Sequence, residues 1–527
     1  MSLVFDTAAP QAQLDPHRAD VTCFVGHVAR RAGVAVPAAL QAQLEAAGWV
    51  NGIWRRPPAQ VEGLLNLPVV LNSWAQFDAL FAWEQRPVRA QGGTVCASYL
   101  GAAVRSFFAR GGRRAVVVRV GDPWPLIESN AARVAARGMR LGRLLPELAA
   151  GSPVFAPHDP SSWQGAQHLA GLREVSMLLL PDLPDACSSF DPGPAAALPL
   201  PAVATAFVEC SENELPPADD LLSRISAPRL DGAGYAAWHA ALRSARSLLA
   251  QRSLREVQLV AALPLPQPEL RGAGTVHAQA DMARYLHDIQ LLSATPLDRD
   301  AEVGATSAFI QLAWPWLGTA HADDLPQGLE PPDGALAGLI SAGAALQGSF
   351  RSVAGDFSQP RLRDLVRSEP LPAWGGSDDS PDARLARNVC VFAPQPGGWA
   401  LQSDVTLSSH EAWRFGGAAR LMGTLLRAAR AAGDGLAFDL NGPATWSQAR
   451  RAMERLLQAF WLEGAFGGSD AGQAYGVRCD RSTMSQADLD NGRMVLEISV
   501  RPAASVERIT VVLDLNSASS STLREAA

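Results

Sequence analysis

Trp461-Leu462-Glu463-Gly464-Ala465-Phe466, then Tyr475-Gly476-Val477-Arg478-Cys479-Asp480, then Asp490-Asn491-Gly492-Arg493 and a run to Val500, form the most legible stretch of the chain. Upstream of it, Thr445-Trp446-Ser447-Gln448 has the pattern of a capping box. Trp446, Ala449, Met453, Leu456, Leu457, Phe460 and Trp461 then recur at helical spacing, which predicts a helix over 445–463 that stops at Gly464. Leu496, Ile498 and Val500 alternate with Glu497 and Ser499, the period of a half-buried strand, and 509–515 reads as a second strand before a polar tail over 517–527. A further amphipathic helix is expected over 413–432, weakened by Gly416, Gly417 and Gly423 and closed by Gly433.

Working back from this domain, α/β units recur. The segment 99–110 carries Tyr99, Ala102, Ala103 and Phe107 at helical spacing, stops at Gly111-Gly112, and leads into the run Val116-Val117-Val118-Arg119-Val120. Strands are expected at 21–25, 175–180 and 257–262, and a helix begins at the polar cap Asn72-Ser73 before Trp74. The Pro- and Ala-rich stretch 183–221 reads as an irregular insertion, and 374–382 as a loop tip. The first eighteen residues hold one apolar run, Leu3-Val4-Phe5, among prolines and polar residues, and read as an extended arm. The expected division is an arm over 1–18, a middle α/β region over 19–399 with possible subdomains 19–182 and 183–399, and a terminal domain over 400–527.

A net charge of -7 gives no basic footprint for nucleic acid. The sequence contains no lysine, so its positive side chains are arginines, and neither a Schiff-base lysine nor a P-loop lysine exists. Cys23, Cys96, Cys187, Cys210, Cys390 and Cys479 are scattered, without the close pairs of a zinc or redox site. The start, Met1-Ser2-Leu3-Val4-Phe5-Asp6, has no secretory pattern, and no apolar run reaches the length of a membrane span. Assembly in the cytoplasm without stable membrane insertion is the expectation.

Catalytic motifs fail individually. His410-Glu411 is not a metalloprotease pair, because Arg414 stands where the second histidine is required. His321-Ala322-Asp323-Asp324 and Asp378-Asp379 read as solvated loop residues, and neither a nucleophile elbow nor a dinucleotide loop is present. No catalytic residue, metal ligand or cofactor is assigned. An α/β binding protein or hydrolase with a spatially assembled site stays open as one of two classes.

The other class comes from a resemblance. The terminal stretch quoted first resembles the carboxy-terminal domain of contractile tail sheath proteins, which wrap phage tails, R-type pyocins and extracellular injection systems. Ala19-Asp20-Val21-Thr22-Cys23-Phe24-Val25-Gly26 is similar to that family's opening strand, and Asn72-Ser73-Trp74-Ala75-Gln76-Phe77 to a helix start. The order continues through the 99–120 unit, Leu180-Pro181-Asp182, Trp314-Pro315-Trp316 and the segment from Pro331-Pro332-Asp333-Gly334 to Gly338. There are departures. The family's Gly-x-Arg-Thr-Leu motif is replaced by 401–407 without its arginine, its paired arginines reduce to Arg420, and its Pro-Ala-Glu close survives as Ser505-Val506-Glu507. A sheath-like paralogue at the baseplate or cap end is therefore kept as an alternative to a major sheath subunit.

The resemblance implies a mixed α/β fold with a discontinuous inner domain, made of the arm and 400–527, and one or two inserted outer domains. It implies partners: other copies of the chain, an inner tube protein, and baseplate and tail-terminator or cap proteins. Leu3, Val4 and Phe5 at one end, with Ile509, Val511 and Leu513 at the other, are candidate strands for exchange between subunits. From the residues alone they serve equally well to complete their own subunit's sheet. Arg450, Arg451, Glu454 and Arg455 form the polar face of the 445–463 helix; the resemblance offers it to an inner tube, whereas the residues alone favour a solvated face, as for most charge clusters.

Overall fold

The computed structural model describes residues 18–148, 155–189, 221–250, 254–272, 274, 276–292, 308–371, 380–408, 410, 413–436 and 439–503, and the backbone of 509–514 and 522–525. Its centre is one eight-stranded sheet. In chain order the strands are β1 (Val21–His27), β2 (Val69–Leu71), β3 (Arg114–Gly121), β4 (Met177–Leu179), β5 (Gln258–Ala262), β6 (Ile310–Trp314), β7 (Cys390–Gln395) and β8 (Gly398–Leu401). Across the sheet they run β8-β7-β6-β5-β4-β1-β3-β2. The six inner strands are parallel, and the two outermost, β2 and β8, are antiparallel to their neighbours. Phe24 pairs with Val117 on one side and Leu179 on the other.

A parallel sheet covered on both faces needs strands apolar on both faces, which is why β3 reads as an unbroken valine run. β1, β5 and β6 are buried at every position. This sheet takes strands from both sides of the 182/183 position, and its core extends from Val21 to Val405.

Helices α1 (Trp74–Leu80), α2 (Tyr99–Ala109), α3 (Asn130–Leu144), α4 (Gly232–Ala250) and α5 (Asp333–Leu346) surround it. Serine hydroxyls cap the first three as N-cap residues: Ser73 accepts from the Gln76 N–H, Ser98 from Gly101 and Ser129 from Ala132. α5 is buried over nearly its whole length and lies against α2. Its glycines permit that approach: a Cβ on Gly334 would stand 2.4 Å from the Ala103 carbonyl oxygen, and one on Gly338 2.6 Å from that of Phe107.

A second core gathers Trp413, Leu421, Met422, Leu425, Trp446, Met453, Leu457, Phe460, Phe466, Leu496 and Ile498, with Ala308 and Phe309 from the approach to β6. It is built from α6 (Gly416–Asp434), α7 (Pro443–Leu462) and a four-stranded antiparallel sheet. That sheet is β9 (Tyr475–Arg478), β10 (Val495–Val500), β11 (Ile509–Asp514) and β12 (Thr522–Glu525), in that order. The expected mixed α/β class is what the structure has.

Two local expectations are corrected. α7 is not opened by a capping box: Gly442 is the N-cap with no side-chain cap bond, Pro443 takes the first helical position, and the Thr445 hydroxyl donates to the Leu440 carbonyl at 2.6 Å. Proline's fixed φ starts the helix two residues early and carries Thr445 inside the first turn. α6 begins at Gly416, three residues after Trp413, and reaches Asp434, past the expected stop at Gly433. Of the expected irregular stretch 183–221, Leu183–Cys187 is a short buried helix, and 190–220 lies outside the described residues, as do Asp378 and Asp379.

Candidate assembly surfaces

α7 divides sharply. Trp446, Ala449, Met453, Leu457 and Phe460 face the second core, while Arg450, Arg451 and Arg455 are exposed and Glu454 half-buried. Arg450 and Glu454 approach to 3.6 Å one turn apart, with side chains 45% and 44% exposed, a geometry that stabilises little in water. Arg451 donates to the Ser447 hydroxyl at 2.9 Å and Arg455 to the Arg451 carbonyl at 3.3 Å. Arg451, Glu454 and Arg455 line an open groove along the helix with Ala444, Gln448 and Gln458, and Arg450 lies beside it against Glu454. The four residues named from sequence thus share one solvent-facing surface with three arginines against one glutamate.

The candidate exchange strands divide differently. Leu3, Val4 and Phe5 lie outside the described residues. Ile509, Val511 and Leu513 belong to β11, which pairs with β10 on one side and β12 on the other within its own chain. β9 is the outermost strand of that sheet, partly exposed along its length. The root of the arm is fixed where description begins. Arg427 of α6 donates to the Arg18 carbonyl at 3.2 Å and to the Glu256 carbonyl at 2.9 Å, and the Ser341 hydroxyl of α5 donates to the Asp20 carbonyl at 3.1 Å. Arg18 and Asp20 are therefore held between α6 of the second core and α5 of the first.

A further link between those cores is a buried ion pair. Asp404 is fully enclosed and Arg420 nearly so, with side chains 0% and 3% exposed. The guanidinium meets the carboxylate twice, at 2.9 and 2.6 Å, and also donates to the carbonyls of Ser349 at 3.0 Å and Arg351 at 2.9 Å. Asp404 further accepts from the Gln311 amide at 2.9 Å and the Val353 N–H at 3.1 Å. Burial alone would raise the Asp404 carboxyl; Arg420 and these donors overcome it and hold it below its ordinary value. Gln311 lies in β6, Arg420 in α6, and 349–353 follows α5, so one pair ties both cores.

The glycines that weaken α6 make this possible: a Cβ on Gly416 would lie 2.2 Å from Asp404 Oδ1, and one on Gly417 2.2 Å from the Phe350 carbonyl oxygen. From sequence Arg420 read only as the remnant of a pair, and Asp404 carried no signal, because its partner is distant in no local pattern. Only sixteen residues separate the two, but a loop and a helix start intervene.

A comparable cluster closes the C-terminal ends of β1 and β4. Asp185 receives Arg86 at 2.6 Å and Arg133 at 3.0 Å, all three side chains at most 3% exposed. Burial pushes the Asp185 carboxyl up, and the two arginines more than offset it, bringing it down to about 2. These groups face protein on all sides and offer a substrate no approach. The His321 ring contacts Arg105 at 3.2 Å, and among the described residues no group of three His, Cys, Asp or Glu side chains could hold a metal ion. Among them, too, no helix is long and apolar enough to cross a membrane.

No protein-family profile matches the sequence, and no curated protein matches it. Solved structures do. A chain of the anti-feeding prophage baseplate in its contracted state aligns over 98% of both chains with 18% identity and a TM-score of 0.54. A chain of the six-fold symmetrised anti-feeding prophage baseplate aligns over 96% of both, with 16% identity and a TM-score of 0.51. A chain of the contracted anti-feeding prophage helical sheath gives 16% identity and a TM-score of 0.48. The chain therefore shares its fold, over nearly its whole length, with chains of the anti-feeding prophage baseplate.

Proposed function

We propose that this chain is a structural subunit of a contractile tail sheath, which polymerises around an inner tube and shortens to drive that tube through a target envelope. The observation that carries the reading is the end-to-end likeness in fold to chains of the anti-feeding prophage baseplate, running over both cores and not over one domain. The ordered motifs from Val21 to Val500 support it. Contraction, on this reading, is the release of a metastable lattice into a better-packed one, with the energy held between subunits, so no nucleotide site is required. The arm over 1–18 is the link, adding a strand to a neighbour's sheet at an edge such as β9, whereas β11 could serve in the same way only by leaving β10 and β12 of its own chain. Head-to-tail linkage of this kind generates an open helical array. The exposed arginines of α7 pair with acidic groups of the tube.

A second reading is favoured by a specific observation: the alignments with TM-scores of 0.54 and 0.51 are to chains of baseplate assemblies. In it the chain is a sheath-like adaptor that joins sheath to baseplate and does not polymerise alone. Negative-stain electron microscopy of the purified chain, beside a version lacking residues 1–18, separates the two. Striated hollow tubes that vanish on truncation establish the sheath subunit and the arm. Small closed rings from the full chain establish the adaptor, and a monodisperse small oligomer without ordered assembly overturns both.

A further inference from the structure

The seat of α5 holds more buried acid than base. Asp182, Glu330 and Asp333 are 4%, 2% and 0% exposed. The cation facing Glu330 is Arg110, the C-cap residue of α2, which already pairs with Asp364 at 2.7 Å. Around Glu330 stand the Ser106 hydroxyl of α2, donating at 2.8 Å, and Thr319 of the strand Trp316–Thr319, with Arg105 and His321 beyond Arg110. Around Asp333 stand Glu330 and Asp182; Asp182 accepts from the His27 N–H at 2.6 Å and has the His27 ring 3.7 Å away. Asp333 Oδ1 accepts from the Gly334 N–H at 2.9 Å, and its Oδ2 has no partner.

We propose that Glu330 and Asp333 form a proton-operated clamp, which seats the first turn of α5 against α2 and the sheet when protonated and loosens it when the protons leave. The geometry makes the charged state costly. With Arg110 committed to Asp364, two ionised carboxylates here would lie beside Asp182 without a cation of their own. The positive end of α5 and the Gly334 N–H favour an anion at Asp333 by less than burial withdraws. Burial raises both carboxyls to about 7, aided at Asp333 by the nearby Asp182 and Glu330.

The sign follows from linkage. The closed state binds protons that an open state, with ordinary carboxyls near 4, releases, so closure is favoured at pH 4 and weakens as pH rises to about 7. Gly334 and Gly338 leave no slack, since their backbone already touches α2.

Hydrogen exchange of the full-length chain from pH 5 to 8, corrected for intrinsic chemical rates, tests this at amides 333–340. The opening constant is expected to rise about a hundredfold per pH unit, tenfold for each carboxyl, up to about 7 and then level off. Asp333→Asn, which can keep the bond to the Gly334 N–H, and Glu330→Gln should each reduce the slope to about tenfold per pH unit. A wild-type opening constant that is flat between pH 5 and 7 overturns the clamp, and so does a wild-type slope retained in both variants. If a variant does not fold, the wild-type slope and the other variant decide.

Discussion

Arg420→Met isolates the junction between the two cores. Methionine fills much of the same volume but removes four hydrogen bonds and the positive charge, leaving Asp404 fully buried with only the Gln311 amide and the Val353 N–H as donors. Breaking a buried pair by removing one partner costs about 3–5 kcal/mol, most of it the uncompensated charge. With a urea dependence of about 2–3 kcal/mol/M, the midpoint of unfolding should fall by about 1–2 M, read on the full chain by circular dichroism and tryptophan fluorescence. Two features separate this account from simple loss of packing. Asp404→Leu added to Arg420→Met should recover part of the loss, so the double variant is more stable than the Arg420→Met single. In the single variant Asp404 keeps its burial and loses the group that opposed it, so lowering the pH from 7 to 5 should narrow the gap to wild type. A midpoint shift below about 0.3 M, or a double variant worse than the Arg420→Met single, would refute the strut.

Other consequences are open to measurement. Gly338→Ala gains about 1 kcal/mol of helix propensity but sets a Cβ 2.6 Å from the Phe107 carbonyl and 2.7 Å from Arg110 Cβ, so a net loss of about 1–2 kcal/mol and a lower melting temperature are expected. Asp185→Asn should cost stability at pH 7, where the carboxyl is ionised between Arg86 and Arg133. Because the folded group titrates near 2 and an unfolded aspartate near 4, that advantage of about 2–3 kcal/mol should shrink as the pH falls from 4 toward 2, measured by urea unfolding at each pH. Reversing Arg451 and Arg455 to glutamate should leave monomer stability within about 0.5 kcal/mol, since both are exposed, while weakening association with a tube protein in a pull-down; a stability loss above 2 kcal/mol would instead give the face a structural role. Since the chain has no lysine, a zero-length carbodiimide crosslink should join its α-amine to carboxylates; crosslinked peptides between copies would locate the arm on a neighbour, and crosslinks confined within one copy would contradict exchange.

The comparison of sequence with structure divides along physical lines. Local patterns sufficed where local forces decide. The valine run became β3 because a strand covered on both faces must be apolar on both, and Ser73 marked a helix start because a hydroxyl there meets an orphan N–H. Periodicity likewise separated the core face of α7 from its arginine face. The reading slipped where one local signal overrode another, since Pro443 displaced the expected capping box, and where a longer-range constraint entered, since α6 kept glycines that propensity counts against because Asp404 and Phe350 approach its backbone.

The sequence by itself determined the α/β class, the amphipathic terminal helix and its charged face, the absence of lysine, and the ordered motifs that point to a sheath. Tertiary structure alone decided the strand order β8-β7-β6-β5-β4-β1-β3-β2, the Asp404–Arg420 strut, and the acid-rich seat of α5. The reason is that each of these depends on which remote segments share a low-dielectric interior. A carboxylate's cost or worth there is set by the partners the fold brings to it, and no spacing along the chain encodes them.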